Sequence, residues 1–199
     1  MRLVVDWDGT VTVSDSLVLV LHEFGDPARL AELEPRVGVD LTLHEEIALE
    51  FETVTVPLAE VVDWVVANVE LRPGFAELAA EHAPLVISAG FVELIEPVLA
   101  REGIVLQVLA NSVVAGRDGW TVRFRDEAVC ATCGEPCKRG SLAGEPYAYV
   151  GDGYSDRCAA LAAERVFARD GLARYLDEQG SPYEPFDDLH DVAAALATP

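Results

Sequence analysis

Short apolar runs that end abruptly in polar residues alternate along the chain with longer stretches in which apolar positions recur every three or four residues. Residues 2–6 (RLVVD), 83–90 (APLVISAG), 147–153 (YAYVGDG) and 165–170 (RVFARD) are of the first kind. Each is short and apolar at successive positions, as a strand buried on both faces is. Residues 74–83 (GFAELAAEHA), 92–103 (VELIEPVLAREG) and 155–164 (SDRCAALAAE) carry the helical spacing. Strands alternating with helices predict an α/β fold built on a doubly wound parallel sheet, with the ligand site beyond the carboxyl ends of the strands.

Residues 14–72 break the alternation. DSLVLVLHEFG, PARLAELEPR, TLHEEIALEFETV and PLAEVVDWVVANVE read as successive amphipathic helices separated by proline and glycine signals. The expectation is a helical cap, residues 14–72, inserted after the first strand. The core is then residues 1–13 and 73–199, re-entered near LRPGF (71–75). Residues 104–126 read as a strand followed by a β-hairpin that turns at RDG.

Charge narrows the function. The 199 residues include 35 acidic and 14 basic side chains, a net charge of −21. Such a surface argues against nucleic acid and anionic membranes as partners. An anionic substrate would be repelled by the global field, so its site must supply positive charge locally, through a metal, a lysine or helix N-termini. The N-terminus runs into carboxylates within six residues, unlike a signal peptide, and no apolar run approaches the roughly 18 residues of a spanning helix. Together with the sparse cysteines this gives a cytoplasmic expectation. The oligomeric state stays open.

The candidate chemistry sits at the strand ends. In DWDGT, Asp6 and Asp8 stand two apart, expected on one side of an extended strand, with Gly9 allowing a sharp turn. A nucleophilic carboxylate beside a protonatable one is the arrangement that forms and hydrolyses an aspartyl phosphate; a helix cap or a calcium loop is the alternative. VGDGYSD places Asp152 and Asp156 at a later strand end, where Asp152 would join Asp6 and Asp8 as hard oxygen ligands for Mg²⁺. Asp156 also suits the first turn of the next helix. Ser88, before a helix, fits either a phosphate contact or an N-cap. Lys138 is the single lysine beside thirteen arginines, which points to a role that needs a compact ammonium.

Asp6–Thr10, Ser88, Lys138 and Gly151–Asp156 together resemble, in order and spacing, the four motifs of the haloacid dehalogenase-like phosphatase superfamily. The resemblance covers nearly the whole chain, and the helical insert is similar to the C1-type cap of its phosphoserine phosphatase-like subclass. RPGF, the cysteine-rich run before Lys138 and the C-terminal FARDGLARYLDEQGSPYEPFDDLHDV look most like the methionine-salvage phosphatases acting on 2-hydroxy-3-keto-5-methylthiopentenyl-1-phosphate. The cysteine run is also similar to that of phosphoethanolamine/phosphocholine phosphatases.

The resemblance implies a Rossmann-like core and a phosphomonoesterase of a small phosphorylated metabolite. Asp6 would be the nucleophile and Asp8 the acid and base. Mg²⁺ would be held by Asp6, the Asp8 main-chain carbonyl and Asp152, with Asp156 behind them orienting Lys138 or a water. Ser88, the Ala89 N–H and Lys138 would hold the phosphoryl oxygens. Asp15 falls where the phosphoserine enzyme contacts its substrate amine, and it equally suits the N-cap of the first cap helix. Arg36 stands as a substrate partner or as a solvated surface residue. Phosphoserine, phosphocholine, phosphoethanolamine, sugar phosphates and the enol phosphate all remain as substrates, a phosphotransferase would share the same motifs, and a non-catalytic metal- or phosphate-binding module is the rival class. Cys130, Cys133 and Cys137 offer three soft ligands, with Cys158 or a histidine as a fourth; zinc and reduced or redox-sensitive thiols are the two readings.

Overall fold

A computed structural model describes residues 1–142 and 144–197. The chain opens with strand β1 (Arg2–Val5), followed by helices α1 (Ser16–Phe24), α2 (Pro27–Leu33), α3 (Leu43–Phe51) and α4 (Leu58–Asn68). Then come α5 (Phe75–His82), β2 (Leu85–Phe91), α6 (Val92–Arg101), β3 (Val108–Val114) and β4 (Thr121–Arg123). The last part holds β5 (Tyr147–Gly151), α7 (Arg157–Ala160), β6 (Arg165–Ala168), α8 (Asp170–Gln179), β7 (Glu184–Pro185) and α9 (Leu189–Leu196). The strands form one sheet in the order β4-β3-β2-β1-β5-β6-β7, parallel except for the β3/β4 pair.

The apolar runs are continuous because the sheet is buried on both faces. Val5, Val86, Val150 and Phe167 point into one core cluster, while their chain neighbours Val4, Ile87, Tyr149 and Val166 point into the other. This alternation is the strand period expressed in a doubly covered sheet. The chain leaves and re-enters the core through two neighbouring segments, bridged at Thr12 and Leu71. Phe51 of α3 meets Phe91 at the end of β2 edge-on, with ring centroids 4.6 Å apart, and so ties the four inserted helices to the sheet.

Three expectations need correction. A single strand, β3, pairs with β2 on one side and with β4 on the other, so residues 104–107 add no further strand. The SDRCAALAAE helix shrinks to the four residues of α7, preceded by a tight turn at Tyr154–Asp156, because Asp156 draws the backbone N–H groups of Asp152 and Gly153 onto its carboxylate. Finally, β1 stops at Val5. Asp8 therefore lies in a tight loop with Gly9 at φ +75°, not on one strand face with Asp6. The C-terminal α8, β7 and α9 complete the sheet edge and its cover.

Candidate active site

The site is assembled by the ends of β1, β2 and β5 together with the helical turn that begins at Lys138. Asp6 leaves the end of β1 with its main-chain N–H donated to Val150 O at 2.9 Å, which fixes it beside β5. The residue is 3% exposed, and its carboxylate is hydrogen-bonded through Oδ1 by the Lys138 ammonium. The same ammonium donates to Asp156 Oδ1 at 2.7 Å, and Lys138 is itself 4% exposed. Burial alone would draw the ammonium down, but Asp156 and Asp6 hold it above its ordinary value.

Asp8 sits on the other side of the loop. Its Oδ1 accepts the Ser16 N–H at 3.0 Å and the Ser16 hydroxyl, and its Oδ2 accepts the Ser88 hydroxyl at 3.1 Å. Ser88 lies within β2 rather than beyond its end, and its oxygen also accepts the Gly90 N–H at 2.7 Å. Asn111 Nδ2 donates to Ala89 O at 2.7 Å, holding this bend. Burial raises the Asp8 carboxyl against the pull of the Ser16 bonds, which favours the protonated form that a general acid needs.

Asp152, just past β5, accepts the Thr10 hydroxyl at 2.7 Å. Gly9 is required where the two loops meet, since a Cβ there would lie 2.4 Å from Asp152 Oδ2. Carboxylate oxygens of Asp6, Asp152 and Asp156 lie within 4.8 Å of one another. Asp156 is fully occupied: Oδ1 takes Lys138 and the Tyr149 hydroxyl, each at 2.7 Å, and Oδ2 takes the N–H groups of Asp152 and Gly153 at 2.9 and 3.0 Å. Asp6 and Asp152 keep lone pairs for a ligand. Burial and Asp156 push the Asp6 carboxyl well up, and the same causes take Asp152 to about 6. One ammonium among these carboxylates leaves a deficit of positive charge, and the donor set is hard oxygen, which fits Mg²⁺.

Asp15 caps α1, accepting the Val18 N–H at 3.0 Å, and also lines the cavity of about 360 Å³ above Asp6, Asp8 and Asp152. Arg36 does not line it; its guanidinium is paired with Asp40 at 2.9 Å on the surface. Cys130, Cys133 and Cys137 converge with Cys158. Sequence reasoning passed over Arg72, Ser16 and Tyr149. Arg72, 7% exposed, donates to the carbonyls of Thr10 at 2.7 Å, Gly9 at 2.6 Å and Thr12 at 3.2 Å, stapling the Asp8 loop. The RPGF run that holds Arg72 carries no local mark of that role.

Comparison with known proteins agrees with this architecture. The chain is similar to the 2-hydroxy-3-keto-5-methylthiopentenyl-1-phosphate phosphatase of Brevibacillus brevis, 28% identical over 206 residues that cover 96% of this chain and 92% of the relative. The protein of that name from Bacillus thuringiensis is 26% identical, covering 96% and 93%. Among solved structures, a substrate-bound phosphoserine phosphatase complex superposes with a TM-score of 0.74 at 15% identity, over 98% of this chain and 97% of that one. The phosphoserine phosphatase of T. onnurineus gives 0.73 at 16% identity, over 99% and 94%. Residues 3–161 match the model of the haloacid dehalogenase-like hydrolases, and the chain belongs to that family.

Proposed function

We propose that this phosphoric monoester hydrolase is a Mg²⁺-dependent enzyme that hydrolyses the phosphate ester of a small metabolite through an aspartyl-phosphate intermediate on Asp6. The observation that carries the reading is the juxtaposition of Asp6, bonded to a buried lysine, with Asp8, held separately by Ser16 and Ser88, at the floor of one cavity. Asp6 and Asp152, with the Asp8 main-chain carbonyl, would hold Mg²⁺. The ion, when bound, supplies charge neutralisation at the phosphoryl oxygens. The four inserted helices α1 to α4 act as the cap that encloses the ester, and Asp15 faces its organic part.

The Asp6 carboxylate attacks phosphorus, and the bond from phosphorus to the ester oxygen breaks. Asp8, whose carboxyl burial raises, gives its proton to the departing oxygen. Asp8 then takes a proton from water, whose oxygen attacks the phosphoaspartate, releasing inorganic phosphate and restoring Asp6. Lys138 neutralises Asp6 and one phosphoryl oxygen, while the Ser88 hydroxyl and the Ala89 N–H take the others. The names of the relatives support a second, narrower reading, hydrolysis of the methylthiopentenyl enol phosphate.

The test is phosphate release from p-nitrophenyl phosphate with Mg²⁺, coupled to mass spectrometry of acid-quenched protein. Phosphate on Asp6 during turnover, and its absence with Asp6→Asn, is expected. Undiminished hydrolysis by Asp6→Asn would overturn the reading. So would turnover without the ion.

A further inference from the structure

All four cysteines of the chain meet at one point, although three come from the loop before Lys138 and the fourth from α7. We propose that Cys130, Cys133, Cys137 and Cys158 form a structural zinc site. Their Sγ atoms all lie within 4.8 Å of one another, and Cys130 and Cys158 are 3.8 Å apart. Four thiolates at about 2.3 Å from a tetrahedral Zn²⁺ stand about 3.8 Å from each other, whereas a disulfide bond is about 2.05 Å long. The backbone supports the same reading. Gly134 N–H closes a turn onto Cys130 O at 2.9 Å, and Thr132 N–H points at Cys130 Sγ at 3.4 Å, as in a C-x-x-C knuckle that shares thiolate charge with main-chain donors.

Each thiol gives its proton to solvent on ligation, and no electron is transferred. The ion would join two pieces of the site floor. Cys137 directly precedes Lys138, and Cys158 lies two residues beyond Asp156, so the cluster fixes the loop carrying the lysine against the helix that follows its carboxylate partner.

The full-length protein, purified without chelator, is tested by elemental analysis and by replacing its metal with Co²⁺. One zinc per chain, and intense thiolate-to-cobalt bands that are unchanged in Asp152→Asn but weakened in Cys158→Ser, are expected. Less than about a tenth of a zinc per chain after refolding with Zn²⁺, or a cobalt spectrum without thiolate bands, overturns the site. Thiol titration under denaturing conditions decides it independently of folding variants: disulfides in the freshly isolated protein overturn the proposal, and four thiols that react only after the metal is withdrawn support it.

Discussion

Asp156 receives the Lys138 ammonium on Oδ1 at 2.7 Å and is itself completely buried. The carboxylate is therefore a holder of the lysine rather than a free ligand, and the lysine in turn is the counter-charge of Asp6. Lys138→Met leaves both carboxylates buried without a cation. Breaking such a pair costs about 3–5 kcal/mol, and loss of a preorganised cation at the transferring group costs about 10²–10³ in kcat. Urea denaturation and phosphate release should show both losses. Lys138→Arg should recover part of the stability and little of the activity, because a planar guanidinium cannot occupy the place of a compact ammonium.

Mg²⁺ should stabilise the folded protein. An ion that binds only the native state adds about 2.7 kcal/mol at a concentration 100 times its Kd. The charge deficit around Asp6 and Asp152 makes that expectation specific to these residues. A melting temperature that rises with Mg²⁺ in the wild type and stays flat in Asp152→Asn would bear it out. An equal rise in both would place the ion elsewhere.

The strand-end motifs were legible because each is local: an apolar run supplies the strand, and the next residues face the site. What escaped was non-local. Arg72 serves Gly9, Thr10 and Thr12 from about sixty positions away, and nothing in its immediate neighbours marks a guanidinium turned onto carbonyls. Cys158 joins the cysteine loop only because α7 follows Asp156 directly, so a count of C-x-x-C pairs undervalues the cluster. The geometry of Asp6 and Asp8 was misread for a similar reason. Strand alternation was extended two residues too far, past the point where the loop bonds of Asp8 to Ser16 take over.

Glu50 gives the stability a definite pH dependence. Burial, then Glu46, push its carboxyl from 4.5 to about 8. Between those values the folded chain keeps a proton that the unfolded chain has lost, so stability falls as pH rises through the window and levels off above it. Glu50→Gln removes this contribution. Relative to the wild type, the variant should gain about 2 kcal/mol between pH 5 and pH 8, read from urea midpoints. Parallel curves for the two proteins would show that Glu50 ionises freely in the cavity.

Arg72 should behave as a positioning residue. Its guanidinium closes on four carbonyls of the loop that follows Asp6, those of Gly9, Thr10, Thr12 and Val13, and the main-chain N–H of the same residue donates to Val11 O at 2.7 Å. Arg72→Met strands these buried carbonyls. At about 1–3 kcal/mol for each acceptor left unpaired, partly relieved by water, a loss of about 2–4 kcal/mol follows. The loop carries Asp8 and presses Gly9 against Asp152, so slack in it misplaces the acid and the metal side together. A displacement of this kind lowers kcat by about 10²-fold, with little change in the KM for p-nitrophenyl phosphate. Arg72→Lys, which reaches fewer of the carbonyls, should fall between the two. If stability drops while kcat in the remaining folded protein is unchanged, Arg72 supports the fold only and the loop holds its geometry without it.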